Sequence, residues 1–474
     1  MSSTTKGVIW SAVERFSVQG VQFLLSIVIA RLISPAEYGL IAMLAIFMAV
    51  AQTFIDSGFG NALIQKKDRD ETDYSTVFYF NILVSVVLYG ILFWCAPLIA
   101  EFYKQPLLTE VTRWVGLNLI LSSFSIVQRT RLSIELNFKA QTKASLASVV
   151  ISGAIGIYTA YHGWGVWALV VQSLSNNLLV TVLLWVMAKW VPLLKFSIAS
   201  FKQLFSFGSK LLASALMHTI YLNLYSLVIG RVYNAVDVGY YNRAYSISQY
   251  PSTNIVSVIC RVIYPVQCEH QHDQAWLEET FLKYLRLSCF VVFPLMILLA
   301  VIAKPLVLIV LTEKWLPSAE LISILSLAYM WYPVMVLNNQ MLNVKGRSDL
   351  FLRAEVVKKI VAIAILCATF PFGLRWLCIG VVIYNLLDVC IIVYYTKKVL
   401  DTGYMVQIRT LMPVMLLTAV SGMAAVGSML FLESAWWQII VGMSVFAAVY
   451  IGGSEIFKFS EFVFVKNIIH RKHK

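Results

Sequence analysis

Ser26-Ile-Val-Ile-Ala-Arg31-Leu-Ile-Ser-Pro-Ala-Glu37-Tyr-Gly39 aligns without a gap on Ser226-Leu-Val-Ile-Gly-Arg231-Val-Tyr-Asn-Ala-Val-Asp237-Val-Gly239. Ser, Val, Ile, Arg and Gly coincide, and Glu37 faces Asp237. The chain around these copies has 474 residues, 59% hydrophobic and only 13% charged, against roughly 25% charged in a soluble domain. A soluble enzyme is excluded. Splitting the chain at charged or turn-rich breaks gives fourteen apolar segments, near 8–32, 36–58, 74–98, 110–133, 139–161, 164–188, 203–231, 235–263, 282–312, 318–341, 350–371, 374–396, 405–431 and 436–457. Most have at least the length of about 20 residues that a helix needs to cross hydrocarbon. Membrane β-strands would be shorter and alternate in polarity, so these are helices, which satisfy their own backbones in lipid.

The two aligned copies therefore fall on spans 1–2 and 7–8. Six spans, an even number, separate them, so both halves have the same orientation and the repeat is parallel, about an axis along the membrane normal. The reading is an all-α polytopic membrane protein of about fourteen transmembrane helices. An N-terminal six-helix lobe takes residues 1–195, a second six-helix lobe 196–400, and two extra helices with a basic tail 401–474. Paired parallel bundles are what secondary transporters use for alternating access.

The 37 Lys and Arg against 24 Asp and Glu give a net charge of +13. With the amino terminus in the cytoplasm, the inside loops collect Lys66, Lys67, Arg69, Arg129, Arg131, Lys139, Lys143, Lys189, Lys195, Lys202, Lys345, Arg347, Lys397, Lys398 and the tail. The positive-inside rule then puts both termini in the cytoplasm. Trp94, Trp164, Trp190, Trp315, Trp376, Trp436 and Trp437 lie near span ends, as interfacial anchors do. No removable signal peptide, nucleotide-binding glycine loop, zinc spacing or nucleophile triad is legible. The seven scattered cysteines read as core residues.

Polar side chains fall on a few helix faces. In span 1, Ser11, Arg15, Gln19, Gln22 and Ser26 recur every three or four residues; in span 7, Lys210, Ser214, His218, Tyr221 and Tyr225 do the same. Span 8 carries Arg243, Ser246, Tyr250, Asn254, Ser257 and Arg261, and span 2 adds Gln52 and Asp56. A charge at mid-bilayer costs at least about 2.5–3.5 kcal/mol, so these faces are expected to meet at a wet cavity between the halves. Its cations would be Arg15, Lys210 and Arg261 towards the cytoplasm and Arg31, Arg231 and Arg243 towards the outside, offset by Glu14 and Asp56. Such a cavity suits an anion, and the arginine fork suits phosphate. Simpler roles stay open: Arg31 and Arg231 at span ends can snorkel, Glu14 and Arg15 can pair, and His218 can be a packing residue. Asp388, three residues after Asn385, reads as a lone acid deep in the second half, a place for a coupling cation or proton or a plain interhelical hydrogen bond. The tract Arg353, Glu355, Lys358, Lys359 reads as a solvated or headgroup face.

Ala30-Arg-Leu-Ile-Ser-Pro-Ala-Glu-Tyr-Gly39 and Asp56-Ser-Gly-Phe-Gly-Asn-Ala-Leu-Ile-Gln65 resemble the amino-terminal signature of polysaccharide repeat-unit flippases of the colanic-acid exporter type. These belong to the multidrug/oligosaccharidyl-lipid/polysaccharide exporter superfamily. Gly239-Tyr-Tyr-Asn-Arg-Ala-Tyr245, Arg261-Val-Ile-Tyr-Pro265, Glu313-Lys-Trp315 and Val344-Lys-Gly346 extend the resemblance over nearly the whole chain. It implies a non-enzymatic flippase of the bacterial inner membrane that moves undecaprenyl-diphosphate-linked oligosaccharides to the outer leaflet. Implied partners are the lipid-linked oligosaccharide, membrane lipids and polysaccharide polymerase machinery, with no nucleic acid. No cofactor or metal is implied beyond coupling to a proton or sodium gradient. The acidic coupling residues of drug-exporting relatives have no clear match here. A peptidoglycan-precursor flippase or a drug/cation antiporter are the neighbouring readings; a membrane polymerase or ligase needs a larger outer loop than any here. The topology is checked with reporters active only in the cytoplasm, which are expected to work when fused at either terminus and to fail when inserted after Gly163.

Overall fold

The computed structural model describes residues 3–56, 59–66 and 68–463, and the side chains of these apart from 3–16, 61, 203, 206–211, 213 and 214. Among the described residues there is no strand. The helices of the first part are α1 (Ser3–Leu32), α2 (Pro35–Asp56), α3 (Phe59–Gln65), α4 (Glu71–Tyr103), α5 (Leu108–Ile134), α6 (Phe138–Tyr161), α7 (Val166–Ala188) and α8 (Ile198–Val232). Those of the second are α9 (Ala235–Glu269), α10 (Gln274–Val310), α11 (Pro317–Tyr329), α12 (Tyr332–Val344), α13 (Ser348–Thr369), α14 (Leu374–Thr396), α15 (Tyr404–Met429) and α16 (Ala435–Ile456). With the short α3 set aside and α11 and α12 counted as one broken segment, the long helices coincide with the apolar segments of the sequence. Among the described residues, nine segments are long and apolar enough to cross a membrane by length and composition.

Residues 1–239 and 240–474 form two compact units. In the first, α4 packs on α5, α6 on α7 and α1 on α6. The α8 helix, first span of the second repeat copy, packs on α2, α3 and α4 and so lies in this unit. In the second, α10 is the central helix, packed on α11, α15 and α16, while α14 lies against α11, α12 and α13.

The aligned stretches fold alike. Each copy runs helix, two-residue break, helix: α1 ends at Leu32 and α2 starts at Pro35, α8 ends at Val232 and α9 starts at Ala235. The first break closes with a capping box, and the second with a side-chain N-cap whose amide also bonds the acid three residues on. In the first, the Glu37 backbone N–H donates to Ser34 Oγ at 3.3 Å and the Ser34 N–H to Glu37 Oε2 at 2.7 Å. In the second, the Asp237 N–H donates to Asn234 Oδ1 at 2.9 Å, and Asn234 Nδ2 to Asp237 Oδ2 at 2.8 Å. The acid shared by the two copies is thus a helix-start residue. The glycines do a second job. A Cβ on Gly39 would stand 1.6 Å from the Ala235 carbonyl oxygen, and one on Gly239 would stand 2.0 Å from that of Pro35. Because 39 corresponds to 239 and 35 to 235, the two contacts are one contact exchanged by a local two-fold, with backbone against backbone.

Prolines explain the irregularities. Pro333 has no N–H for the Tyr329 carbonyl, and the span read as continuous over 318–341 breaks there into α11 and α12. Ser252 Oγ on α9 donates to the freed Tyr329 oxygen at 2.9 Å. Pro294 likewise frees Phe290 O within α10, and Tyr450 Oη on α16 donates to it at 2.7 Å. In the first unit, the segment from α7 to α8 is pinned to the start of α4: the Leu193 N–H donates to Ser75 Oγ at 2.8 Å and the Ser197 N–H to Thr76 Oγ1 at 3.0 Å.

Trp94, Trp164, Trp376, Trp436 and Trp437 are exposed to the surroundings, as anchors must be. Trp190 and Trp315 are instead buried. Trp190 donates its indole N–H to Glu71, and Trp315 packs edge-on to Tyr240 beneath Arg243. Valine at Gly39 or Gly239 is expected to push the two backbones apart, at a cost of about 1–3 kcal/mol or more from overpacking. Gly90→Ala, whose added Cβ meets nothing within 4 Å, is the control expected to hold its thermal midpoint in detergent.

Candidate functional site

Gln52 and Asp56 stand one turn apart at the end of α2. Gln52 Nε2 donates to Asp56 Oδ1 at 2.9 Å, while Ser122 Oγ on α5 donates to Gln52 Oε1 at 2.9 Å. One position after Gln52, Thr53 Oγ1 meets Thr219 Oγ1 of α8 at 3.1 Å. Thr219 lies between His218, which is exposed, and Tyr221, which is half-buried. The α2 and α8 helices therefore meet through a pair of hydroxyls next to stripe positions, while the Gln52 amide of the α2 stripe is held by α5. On α1, Gln19 is half-buried and Gln22 exposed. Glu14, Arg15 and Lys210 lie outside the described side chains.

The two aligned arginines, Arg31 and Arg231, are both exposed at helix ends. The Arg231 guanidinium sits 5.2 Å from the centre of the Phe102 ring. An arginine over an aromatic face at a helix end keeps its charge accessible while its stem is covered.

In the second unit the cations of α9 separate by environment. Arg243 is only 8% exposed, and its guanidinium lies 5.4 Å from the Trp315 ring centre. Tyr240 completes that wall by donating Oη to the Lys314 carbonyl at 3.1 Å. Further along the helix Tyr250 and Arg261 are exposed and Asn254 is half-buried. The opposite α9 face carries Ser248, Ser252 and Gln267, all buried. Their bonds run to α11 and α12, including Gln340 Nε2 to Gln267 Oε1 at 2.6 Å. So α9 has a structural polar face and a separate accessible one, and the candidate cations except Arg243 are on the accessible side.

Asn385 spends its amide on the Ala328 carbonyl, at 2.9 Å. Asp388 is not a lone acid. Its Oδ1 lies 3.1 Å from Lys358 Nζ, and the lysine side chain is only 2% exposed. The expected solvated or headgroup face therefore does not hold for Lys358, while Arg353 is exposed and Glu355 and Lys359 are half-buried. The signal was present in the spacing: Leu350, Ala354, Lys358, Ala362 and Leu366 recur every four residues and form the buried stripe of α13. Arg353 and Lys359 lie off that stripe. Ser122 gives no signal in the sequence, because a single hydroxyl has no periodicity of its own.

No group of three or more His, Cys, Asp or Glu side chains able to hold a metal ion occurs among the described residues. Among the described residues, what the accessible faces offer is hydrogen bonding and positive charge.

Residues 28–320, which include all but the first two residues of the aligned copies, match the model of the family described as polysaccharide biosynthesis protein. The teichuronic acid biosynthesis protein TuaB of Bacillus subtilis (strain 168) is 27% identical over 356 residues, covering 74% of each chain. The lipopolysaccharide biosynthesis protein WzxC of Escherichia coli (strain K12) is 25% identical over 414 residues, covering 86% of this chain and 84% of its own. A structure of the lipid II flippase MurJ in an inward-closed conformation matches 95% of this chain and 98% of its own, with a TM-score of 0.75 at 14% identity. At that identity the likeness is one of fold. The chain is a multi-pass membrane protein that belongs to the polysaccharide biosynthesis protein family.

Proposed function

We propose that this protein is a flippase that carries undecaprenyl-diphosphate-linked oligosaccharide repeat units from the cytoplasmic to the outer leaflet of the bacterial inner membrane. The observation that carries the reading is the parallel repeat with accessible polar faces on α2, α8 and α9, in a chain of this family. The fold shared with a lipid II flippase and the polysaccharide products named for its relatives support it. Residues 1–195 and 196–400 are the alternating lobes, with 401–474 attached to them, and both termini face the cytoplasm.

The chemistry follows from the substrate's parts. A diphosphate carries its charge on oxygens that guanidinium and ammonium groups bind by charge-assisted hydrogen bonds. Arg15, Lys210 and Arg261 receive it from the cytoplasmic side, and Arg31 and Arg231 draw it onward, with Arg243, buried against Trp315, adding positive charge from beneath the surface. Gln19, Gln22, Gln52, Asp56, His218, Tyr221, Tyr250 and Asn254 offer hydrogen bonds to sugar hydroxyls, and the polyprenyl tail stays in lipid. No bond is made or broken, so the protein is not an enzyme, and a proton or sodium gradient supplies direction. The exported unit is then consumed by polysaccharide polymerase machinery.

Deleting the gene should leave lipid-linked repeat units on the cytoplasmic leaflet. Repeat units found unpolymerised on the outer leaflet would show that the missing activity is polymerisation and not transport. Trapped lipid II in place of repeat units would move the substrate to the peptidoglycan precursor. Arg15→Ala and Arg261→Ala should each lower export roughly tenfold or more with normal membrane insertion, as expected for loss of a charged hydrogen bond worth about 1.5–3 kcal/mol. Full export by the double mutant would remove the phosphate contacts from the mechanism.

A further inference from the structure

Among the described residues, Lys358 is the one lysine with a fully buried side chain. Its Nζ is held 3.0 Å from Glu355 Oε1, 3.1 Å from Asp388 Oδ1 and 3.3 Å from Asn339 Oδ1. These oxygens come from three helices, α13, α14 and α12, and converge on one point. Tyr384 Oη adds a donor to the other Asp388 oxygen at 3.4 Å, and Lys359 Nζ lies 3.8 Å from Glu355 Oε2. Two ammonium groups thus face two carboxylates, and the cluster is neutral without any bound ion. Lys358 sits midway along α13, in the stripe of small and apolar residues that packs inward. A carboxylate at such a position needs a cation beside it.

We propose that Lys358 is a tethered cation: its ammonium fills an oxygen site, built by Asp388, Glu355 and Asn339, that would otherwise take a free monovalent metal cation. Two carboxylates and an amide oxygen are hard ligands of the kind alkali cations use, and the lysine reaches them at hydrogen-bonding distance from its own helix. The second unit therefore brings its own counter-ion and has no need of sodium at this place. The inference concerns cation chemistry within one unit and does not rest on the identity of the transported substrate.

The purified full-length chain in detergent provides the test, by thermal unfolding in sodium, potassium or choline chloride at equal ionic strength. The unaltered protein is expected to unfold at the same midpoint in all three salts. Lys358→Ala should unfold earlier in choline and recover by a few degrees, saturably, in sodium or potassium, with methylammonium also restoring it. Adding Asp388→Asn to Lys358→Ala should abolish the cation response. Asp388→Asn alone keeps the lysine and should lower the midpoint equally in every salt. If Lys358→Ala cannot be purified, Lys358→Gln, which keeps a neutral group in the same space, is read in the same way. A lysine variant with equal midpoints in all salts overturns the proposal. So does an unaltered protein that sodium stabilises through Asp388.

Discussion

Hydrocarbon offers no water to a polar group, so every donor and acceptor along these helices must find its partner inside the protein. The architecture is legible as a set of answers to that demand. Where Pro333 leaves Tyr329 O without a donor, Ser252 supplies one across to α9; where Pro294 frees Phe290 O, Tyr450 supplies one from α16. Amides answer each other in pairs: Asn338 and Gln407 exchange two hydrogen bonds at 3.0 Å between α12 and α15. In the first unit, Asn118 of α5 receives Asn177 Nδ2 at 2.6 Å and donates to Ser173 at 2.7 Å, both on α7. Each such bond is worth about 0.6 kcal/mol on average, yet an unsatisfied group would cost several times more. Their force is in fixing register between helices that lipid cannot squeeze together.

The same demand shapes the duplicated stretch. A helix start buried in a membrane protein exposes N–H groups that need acceptors, and Ser34 with Glu37, or Asn234 with Asp237, provide them locally. That leaves the outside of each turn free for packing, and glycine lets the two turns close to backbone distance. Side chains could not have made this contact, since even a methyl group on Gly39 overlaps the Ala235 carbonyl. The identities seen in the alignment are therefore mechanical: the acid caps, and the glycine approaches.

Length and hydropathy disclosed nearly all of the fold, because a segment of about twenty apolar residues has one solution in lipid. They missed α3, whose seven residues are too few for a periodic pattern, and the break at Trp331, although Pro333 marked it. Local charge was harder to read. Lys358 was grouped with Arg353, Glu355 and Lys359 because the four are close in sequence, whereas spacing by four places it with Ala354 and Ala362 on the buried stripe. Trp190 and Trp315 sit near span ends like true anchors, and only tertiary partners separate them from Trp94 or Trp436. Asp388 was recognisable as an intramembrane acid, but its counter-ion lies thirty positions upstream on another helix, beyond any local pattern.

Among the described residues, the polar links that tie helices together differ in kind between the two units. In the first unit, among the described side chains, α2 meets α8 through a neutral hydroxyl pair, Thr53 with Thr219. Contacts of this kind are weak singly and slide at little cost. In the second unit α12, α13 and α14 are tied by a buried lysine between two acids, and removing one partner of such a pair costs about 3–5 kcal/mol. Helices joined that way move together or not at all. The difference lies in the partners: a hydroxyl pair can be exchanged for water or another hydroxyl, whereas the buried ammonium of Lys358 has to keep its carboxylates, and that ties three helices into one block.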